Sequence, residues 1–163
     1  DSLSQVFQEK REVDKILLPQ KEPEKWKCRY PDKWLVKKTM LVIPELGLLH
    51  ANFILGYGNL IAAQHPTKAE IPFLWETILR KKVTGIVQLN SEIEDLYIPL
   101  NETTPLTTAT EDGKGSITVL LEEVVIEPLL TRRKLKMTLE RGEKQQSISV
   151  MHYHYAGWQD EST

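Results

Sequence analysis

Hydrophobic and polar positions change their period along the chain, and each change marks a different predicted element. Residues 2–18 (SLSQVFQEKREVDKILL) place their apolar side chains near one helical face, which predicts a helix that ends at Pro19. Residues 40–63 carry short apolar runs separated by proline and glycine, which predicts two or three strands. The Gly-Tyr-Gly-Asn sequence before the last of these runs predicts a hairpin turn.

A second helix is predicted over residues 70–82 (EIPFLWETILRKK), where apolar side chains recur every three or four positions. Because proline is tolerated in the first turn of a helix, Pro72 predicts that this helix begins near Glu70. The mostly apolar run VTGIVQL (83–89) predicts a strand that is buried on both faces of a parallel or mixed sheet. Residues 101–115 are mostly polar and predict one long, mobile loop.

The last third of the chain predicts an antiparallel series of strands. Residues 134–140 alternate between apolar and polar positions, residues 141–143 (Arg-Gly-Glu) predict a turn, and residues 148–155 predict the returning strand. Together with the helices, these strands predict an α+β fold in which one mixed sheet is flanked by helices.

Composition and charge narrow the classes of function. The chain has 163 residues, 40% hydrophobic and 27% charged, which is typical of one globular domain with a hydrophobic core. A net charge of -2 argues against a general nucleic-acid binder, because no overall positive field exists to collect phosphates. The single cysteine, Cys28, excludes a disulfide and a multi-cysteine zinc site within these residues, and it fits a reducing compartment. No apolar run is long enough to predict a membrane span.

Two histidines in SVMHYHYAGWQD (149–160) are candidate metal ligands. His152 and His154 are two residues apart on a predicted strand, so their side chains point to the same face. A zinc site needs a third ligand, and neither the distant histidines nor a carboxylate cluster offers one. A half-buried strand with hydrogen-bonded histidines is therefore favoured over a metal site.

The residues after these histidines have a more specific chemical interpretation. A large aromatic residue such as Trp158 can seat a loop, and Asp160, two positions later, can be carried into a site as a general acid. Exposed Trp-x-Asp loops are common, so this spacing alone does not decide between a surface loop and a catalytic one.

The order of several short motifs gives the Trp-x-Asp spacing a context. They are KCRY (27–30), HANFI (50–54), LIAAQHP (60–66), FLWETIL (73–79), VTGIVQL (83–89), GSITV (115–119) and VMHYHYAGWQD (150–160). In this order the chain resembles the cysteine-dependent protein-tyrosine phosphatase family. The GSITV and GWQD strings are also similar to those of the bacterial type III secreted effector phosphatases.

The resemblance implies a role for individual residues. Tyr30 matches the tyrosine that packs against the substrate phosphotyrosine ring and sets the depth of the pocket. Trp158 matches the hinge of the mobile loop, and Asp160 matches the general acid that protonates the leaving tyrosyl oxygen. Asn52 and Gln64 match residues of the family scaffold.

The chain departs from the family pattern at several positions. Cys28 replaces an asparagine and is not the nucleophile, His65 replaces a glycine, and Gln159 replaces the proline of Trp-Pro-Asp, which predicts a more flexible loop. The family's nucleophile loop, His-Cys-x-x-Gly-x-x-Arg, has no match in these residues. The resemblance therefore implies that residues 1–163 are the N-terminal part of one phosphatase-like domain, incomplete on its C-terminal side. In that part, residues 1–26 would form a helix and connection, and residues 27–163 the sheet and helices up to the acid loop.

Two functions follow from this resemblance. The first is the front part of an enzyme that hydrolyses phosphotyrosine in proteins through a cysteinyl phosphate, without a metal or cofactor, and that is inactive without its nucleophile. The second is a non-catalytic, phosphatase-like scaffold or interaction module. The expected partners are a phosphotyrosine-containing protein and a complementary C-terminal segment, and the expected location is the cytoplasm, or the host cytoplasm for a secreted effector.

Overall fold

The computed structural model describes residues 15–16, 35–36, 39–43, 46–54, 59–90 and 95–158. The chain divides into two compact units, Asp1–Glu70 and Ile71–Thr163, and each is described by itself. Tyr30, Cys28, Gln159 and Asp160 lie outside the described residues.

The first unit contains two small antiparallel sheets. Strand β1 (Lys15–Ile16) pairs with β2 (Leu35–Val36), and β4 (Gly47–Phe53) lies between β3 (Met40–Ile43) and β5 (Ile61–Ala63). The strands predicted over residues 40–63 are thus confirmed, and β4 and β5 pair as a hairpin. Most of the turn between them lies outside the described residues.

The helix predicted over residues 2–18 is wrong at Lys15–Ile16, where the chain forms strand β1; the rest of that range lies outside the described residues. Ile16 pairs with Leu35 and Lys15 with Val36. A pairing with a segment far along the chain therefore overrides the helical spacing of the apolar side chains.

The second unit begins with helix α1 (Ile71–Arg80), close to the predicted start. Beyond its last turn, Lys82 N–H donates to the carbonyl of Leu79 at 3.1 Å and Val83 N–H to the carbonyl of Ile78 at 3.0 Å. These are the bonds of a Schellman motif, whose C′ residue adopts a left-handed conformation. Here that residue is Lys82, with φ of 53°, where glycine is the usual choice.

One mixed sheet forms the rest of the second unit. Its strand order is β6-β10-β9-β8-β7, with β6 and β10 parallel and the other pairs antiparallel. The mixed sheet with a flanking helix confirms the predicted α+β class. The strands are β6 (Gly85–Gln88), β7 (Leu106–Ala109), β8 (Ser116–Ile126), β9 (Leu130–Arg141) and β10 (Lys144–Tyr155).

Two sequence predictions in this unit need correction. Strand β6 is not buried on both faces: it is an edge strand of the described sheet, and the side chain of Val87 is 66% exposed. The predicted loop of residues 101–115 contains strand β7, because the β-branched Thr107 and Thr108 pair with β8. The loop is also ordered at its start, where the side chain of Asn101 accepts hydrogen bonds from two backbone N–H groups.

The core of the second unit lies between helix α1 and one face of the sheet. Side chains from α1, β8, β9 and β10 meet there, together with Tyr97 and Ile98 from the segment after β6. Burying aliphatic and aromatic side chains of this size contributes about 1.5–3 kcal/mol each. The buried members are Ile71, Trp75, Ile78, Tyr97, Ile98, Ile117, Val119, Leu121, Leu135, Met137 and Val150.

An ion pair links helix α1 to the far end of β9. Glu76 is 1% exposed; it accepts a bond from Arg141 Nη2 at 2.9 Å and one from the backbone N–H of Glu111 at 3.0 Å. Arg141 also pairs with Asp112 at 2.8 Å. Gly115 lies against this corner, and a Cβ there would sit 2.4 Å from the carbonyl oxygen of Glu140. The corner therefore depends on a buried carboxylate and on a glycine.

Candidate active site

The end of strand β10 carries the candidate acid loop. Trp158 comes three residues after the last strand residue, Tyr155, and its side chain is 57% exposed. Between them, Gly157 lies against the Tyr155 ring: a Cβ there would lie 2.7 Å from the Tyr155 hydroxyl, so a side chain would have to displace that ring. The chain thus leaves the sheet through a tight turn under the Tyr155 ring and presents Trp158 to solvent.

Backbone and side-chain bonds hold this end of β10 on both sides. The His154 Nε2 atom lies 2.8 Å from the carbonyl oxygen of Asn90, just past β6. On the other side, the N–H of Ala156 donates to the carbonyl of Leu129, in the turn between β8 and β9, at 2.9 Å. The last residues before Trp158 are therefore fixed to both neighbouring elements.

A buried polar cluster lies beneath the middle of the same strand. The Tyr97 hydroxyl is 3.0 Å from His152 Nε2 and 3.1 Å from Gln88 Oε1, and His152 Nε2 is 3.2 Å from the same Gln88 oxygen. The Tyr97 and His152 rings meet edge to face, with centroids 5.8 Å apart. Trp75 Nε1 donates to the Tyr97 carbonyl at 2.7 Å, which places the tyrosine against helix α1. The cluster thus joins β6, β10 and α1.

Electrostatics suit this cluster to a structural role. Burial raises the pKa of Tyr97 far above its ordinary value, and the charge of Arg133 offsets only part of that shift, so the phenol stays protonated at neutral pH. Burial lowers the pKa of Arg133, which lies opposite His152 in the strand pairing. Two of its guanidinium nitrogens, Nε and Nη1, are shielded and have no acceptor among the described residues.

The histidine prediction is confirmed in its favoured form. His152 is fully buried, His154 lies on the same face of β10, and both make hydrogen bonds. Within the described part of the chain, no group of three or more His, Cys, Asp or Glu residues is placed to hold a metal ion.

Two residues that the resemblance assigns to the scaffold make contacts of that kind in the first unit. Asn52 Nδ2 donates to Thr39 Oγ1 at 3.1 Å, and Gln64 Nε2 lies 3.3 Å from His50 Nε2. His65, which replaces a family glycine, does not have a positive φ, so it carries no left-handed strain.

Sequence reasoning missed Tyr97, Gln88 and Arg133. Gln88 could have been found from the sequence, since a polar residue in a mostly apolar run indicates a buried polar contact. Tyr97 could not, because its bond to His152 spans 55 positions of the chain.

Comparison with known proteins identifies the fold and the family. A family model described as protein-tyrosine phosphatase matches residues 24–163. The chain belongs to the protein-tyrosine phosphatase family. A search among curated proteins found no match.

Solved phosphatase structures have the same fold. The catalytic domain of human protein tyrosine phosphatase non-receptor type 18 matches with a TM-score of 0.77 and 23% identity, over 97% of this chain and 59% of that one. A structure of PTPN18 that addresses distinct HER2 tyrosine phosphorylation sites matches with a TM-score of 0.73 and 21% identity, over 96% of this chain and 58% of that one. The chain thus spans about three-fifths of these phosphatase chains.

In the described residues, no helix is long and apolar enough to cross a lipid bilayer. The family and the fold that the sequence predicts are confirmed. The roles of Tyr30, Trp158 and Asp160, the secreted-effector likeness and the extent of the domain stay predictions.

Proposed function

We propose that the protein hydrolyses phosphotyrosine in proteins through a cysteinyl-phosphate intermediate, with Asp160 as the general acid. Beside family membership, one observation carries this proposal. Strand β10 runs parallel to β6 and leads to Trp158, so this loop leaves the sheet at the carboxyl ends of its parallel strands. Ligand sites of sheets with parallel strands lie at these ends.

The proposed reaction has two steps. A cysteine thiolate of the family's nucleophile loop, which has no match in residues 1–163, attacks phosphorus; the bond from phosphorus to the tyrosyl oxygen breaks, and Asp160 gives its proton to that oxygen. Water then attacks the phosphorus of the cysteinyl phosphate, the Asp160 carboxylate accepts a proton from this water, and the phosphorus–sulfur bond breaks. Inorganic phosphate leaves, and both the thiolate and the protonated Asp160 are regenerated.

Specificity for phosphotyrosine is assigned to Tyr30. An aromatic wall at the mouth of a pocket packs against the substrate ring, and it keeps the shorter phosphoserine side chain from reaching the bottom. The proposed substrate is thus a protein that carries phosphotyrosine. It would be located in the cytoplasm of the producing cell or, for a secreted effector, of a host cell.

A non-catalytic scaffold that binds phosphotyrosine or another chain is the second candidate function. Gln159 favours it, because the family proline at that position fixes φ and its loss makes loop closure less defined. The retained Tyr30 and Asp160 favour the enzyme.

The test is peptide hydrolysis by the full-length protein. We expect it to release phosphate from a phosphotyrosine peptide and not from the same peptide with phosphoserine, and we expect residues 1–163 alone to be inactive. Asp160→Asn should lower kcat by about 10²–10⁴-fold, the usual contribution of a general acid. Glu161→Gln is the matched control, because it removes the neighbouring carboxylate and should leave kcat unchanged. Binding of the phosphotyrosine peptide without turnover would select the scaffold instead.

A further inference from the structure

The hydrogen bond between His154 and Asn90 lies where the sheet passes into the acid loop. His154 is the second-last residue of β10 and precedes Asp160 by six positions. Its partner is the backbone carbonyl of Asn90, two residues beyond the end of β6, at 2.8 Å from Nε2. The bond therefore ties together the carboxyl ends of the two parallel strands.

The acceptor of this bond determines which nitrogen of the His154 imidazole carries a hydrogen. A backbone carbonyl oxygen only accepts hydrogen bonds, so Nε2 of His154 must carry the hydrogen. Both the neutral ring with its hydrogen on Nε2 and the protonated ring can make this bond.

The same stretch of chain has a second anchor on its other side. Ala156 N–H donates to the Leu129 carbonyl at 2.9 Å, and the turn that carries Leu129 is closed by a bond from Glu127 N–H to the Leu130 carbonyl at 3.0 Å. Without the His154 bond, the backbone pairing of β10 with β6, which extends from Met151–Gly85 to His154–Gln88, would remain, but the end of β10 would lose its side-chain tie to Asn90, beyond the end of β6. His154 thus affects the placement of the chain that leaves the sheet and not the existence of the sheet.

We propose that His154 is a positioning residue for the general acid: its bond to the Asn90 carbonyl fixes the base of the loop that carries Asp160. This inference rests on the proposed function. A reacting group misplaced by about 1 Å can lose about 10²-fold in rate, so a loosened anchor is expected to weaken proton delivery without abolishing it. The thiolate attack itself does not use the acid and should be little affected.

The difference between proton delivery and attack gives the test. The full-length protein is assayed with phenyl phosphate, whose leaving group has a pKa of about 10 like tyrosine, and with 2,4-dinitrophenyl phosphate, whose leaving group needs no proton. In His154→Phe, kcat/KM for phenyl phosphate, which reports the steps up to formation of the cysteinyl phosphate, should fall about tenfold or more, while kcat/KM for the dinitrophenyl ester should change less than about threefold. His154→Gln places an amide N–H near the position of Nε2 and should restore most of the loss.

The ratio of the two kcat/KM values does not depend on how much of a variant is folded, so partial unfolding cannot mimic the result. Gln146→Leu, an exposed position at the other end of β10, is the control and should leave the ratio unchanged. A His154→Phe variant that keeps the wild-type ratio overturns the positioning role and leaves the phosphatase assignment intact. Failure of the wild-type protein to hydrolyse either ester overturns the proposed function, and this inference with it.

Discussion

Replacing Arg141 by methionine tests how strongly the second unit depends on the buried carboxylate of Glu76. The substitution keeps a long apolar stem but removes the guanidinium group that lies 2.9 Å from Glu76 Oε2. The carboxylate, 1% exposed, then keeps the hydrogen bond from the backbone N–H of Glu111 but loses the positive charge opposite it. A charge buried without compensation is one of the few mechanisms by which a single substitution destabilises a domain strongly.

The magnitude follows from the burial of the two partners. Removing one member of a buried ion pair costs about 3–5 kcal/mol. The Arg141 side chain is 33% exposed, so water screens part of the pair, and the expected loss lies at the lower end, about 3 kcal/mol. A domain of ordinary stability has about 5–15 kcal/mol in total, so the change is large enough to measure reliably.

Urea unfolding of the full-length protein, followed by circular dichroism, is the assay. The control is Arg132→Met, because Arg132 pairs with Glu127 at the same 2.9 Å, but the two side chains are 43% and 45% exposed. That change should cost no more than about 1 kcal/mol. The double variant Glu76→Gln, Arg141→Met should recover at least about 1 kcal/mol of the Arg141→Met loss, since no buried charge remains. Equal losses for Arg141→Met and Arg132→Met would refute the reasoning.

Two further predictions concern single positions of the second unit. Lys82→Gly should stabilise the protein by about 1 kcal/mol, because Lys82 holds a φ of 53° that glycine adopts without strain; a lower urea midpoint in the variant would contradict this. The pKa of Asp112 is lowered, chiefly by the Thr110 hydroxyl and then by the Lys114 N–H, so its contribution to stability is present above its unfolded pKa of about 3.9 and is lost as the pH falls through the lower folded value. Asp112→Asn should therefore flatten the dependence of the melting temperature on pH below about pH 4, and an unchanged slope would count against it.

Strong periodicity made the strands readable from the sequence. Successive side chains of strand β10 point to opposite faces of the sheet. This alternation predicts that His152 and His154 lie on the same face, as they do in the structure. Helix α1 was equally predictable, because the spacing of its apolar residues and the position of its proline indicate the same start. The family order of motifs predicted the fold, although no single motif did.

Several of the misses depend on pairings with another segment of the chain. Strand β1 forms at Lys15–Ile16 because these residues pair with Leu35–Val36. The polar residues of β7 form a strand because they pair with β8. The contacts of Tyr97 with Gln88 and His152 likewise form only when the sheet brings β6 and β10 together. The periodicity of a short segment does not predict which other segment it will pair with.

The dependence of kcat/KM on pH, measured for the full-length protein and for Asp160→Asn on a phosphotyrosine peptide, tests the central claim most directly. The acid must hold its proton when the tyrosyl oxygen leaves, so the wild-type rate should fall on the alkaline side as Asp160 ionises. In Asp160→Asn, the rate should be low and this alkaline fall should disappear. An alkaline fall that persists in the variant, or a variant as fast as the wild type, would contradict the assignment of Asp160 as the general acid.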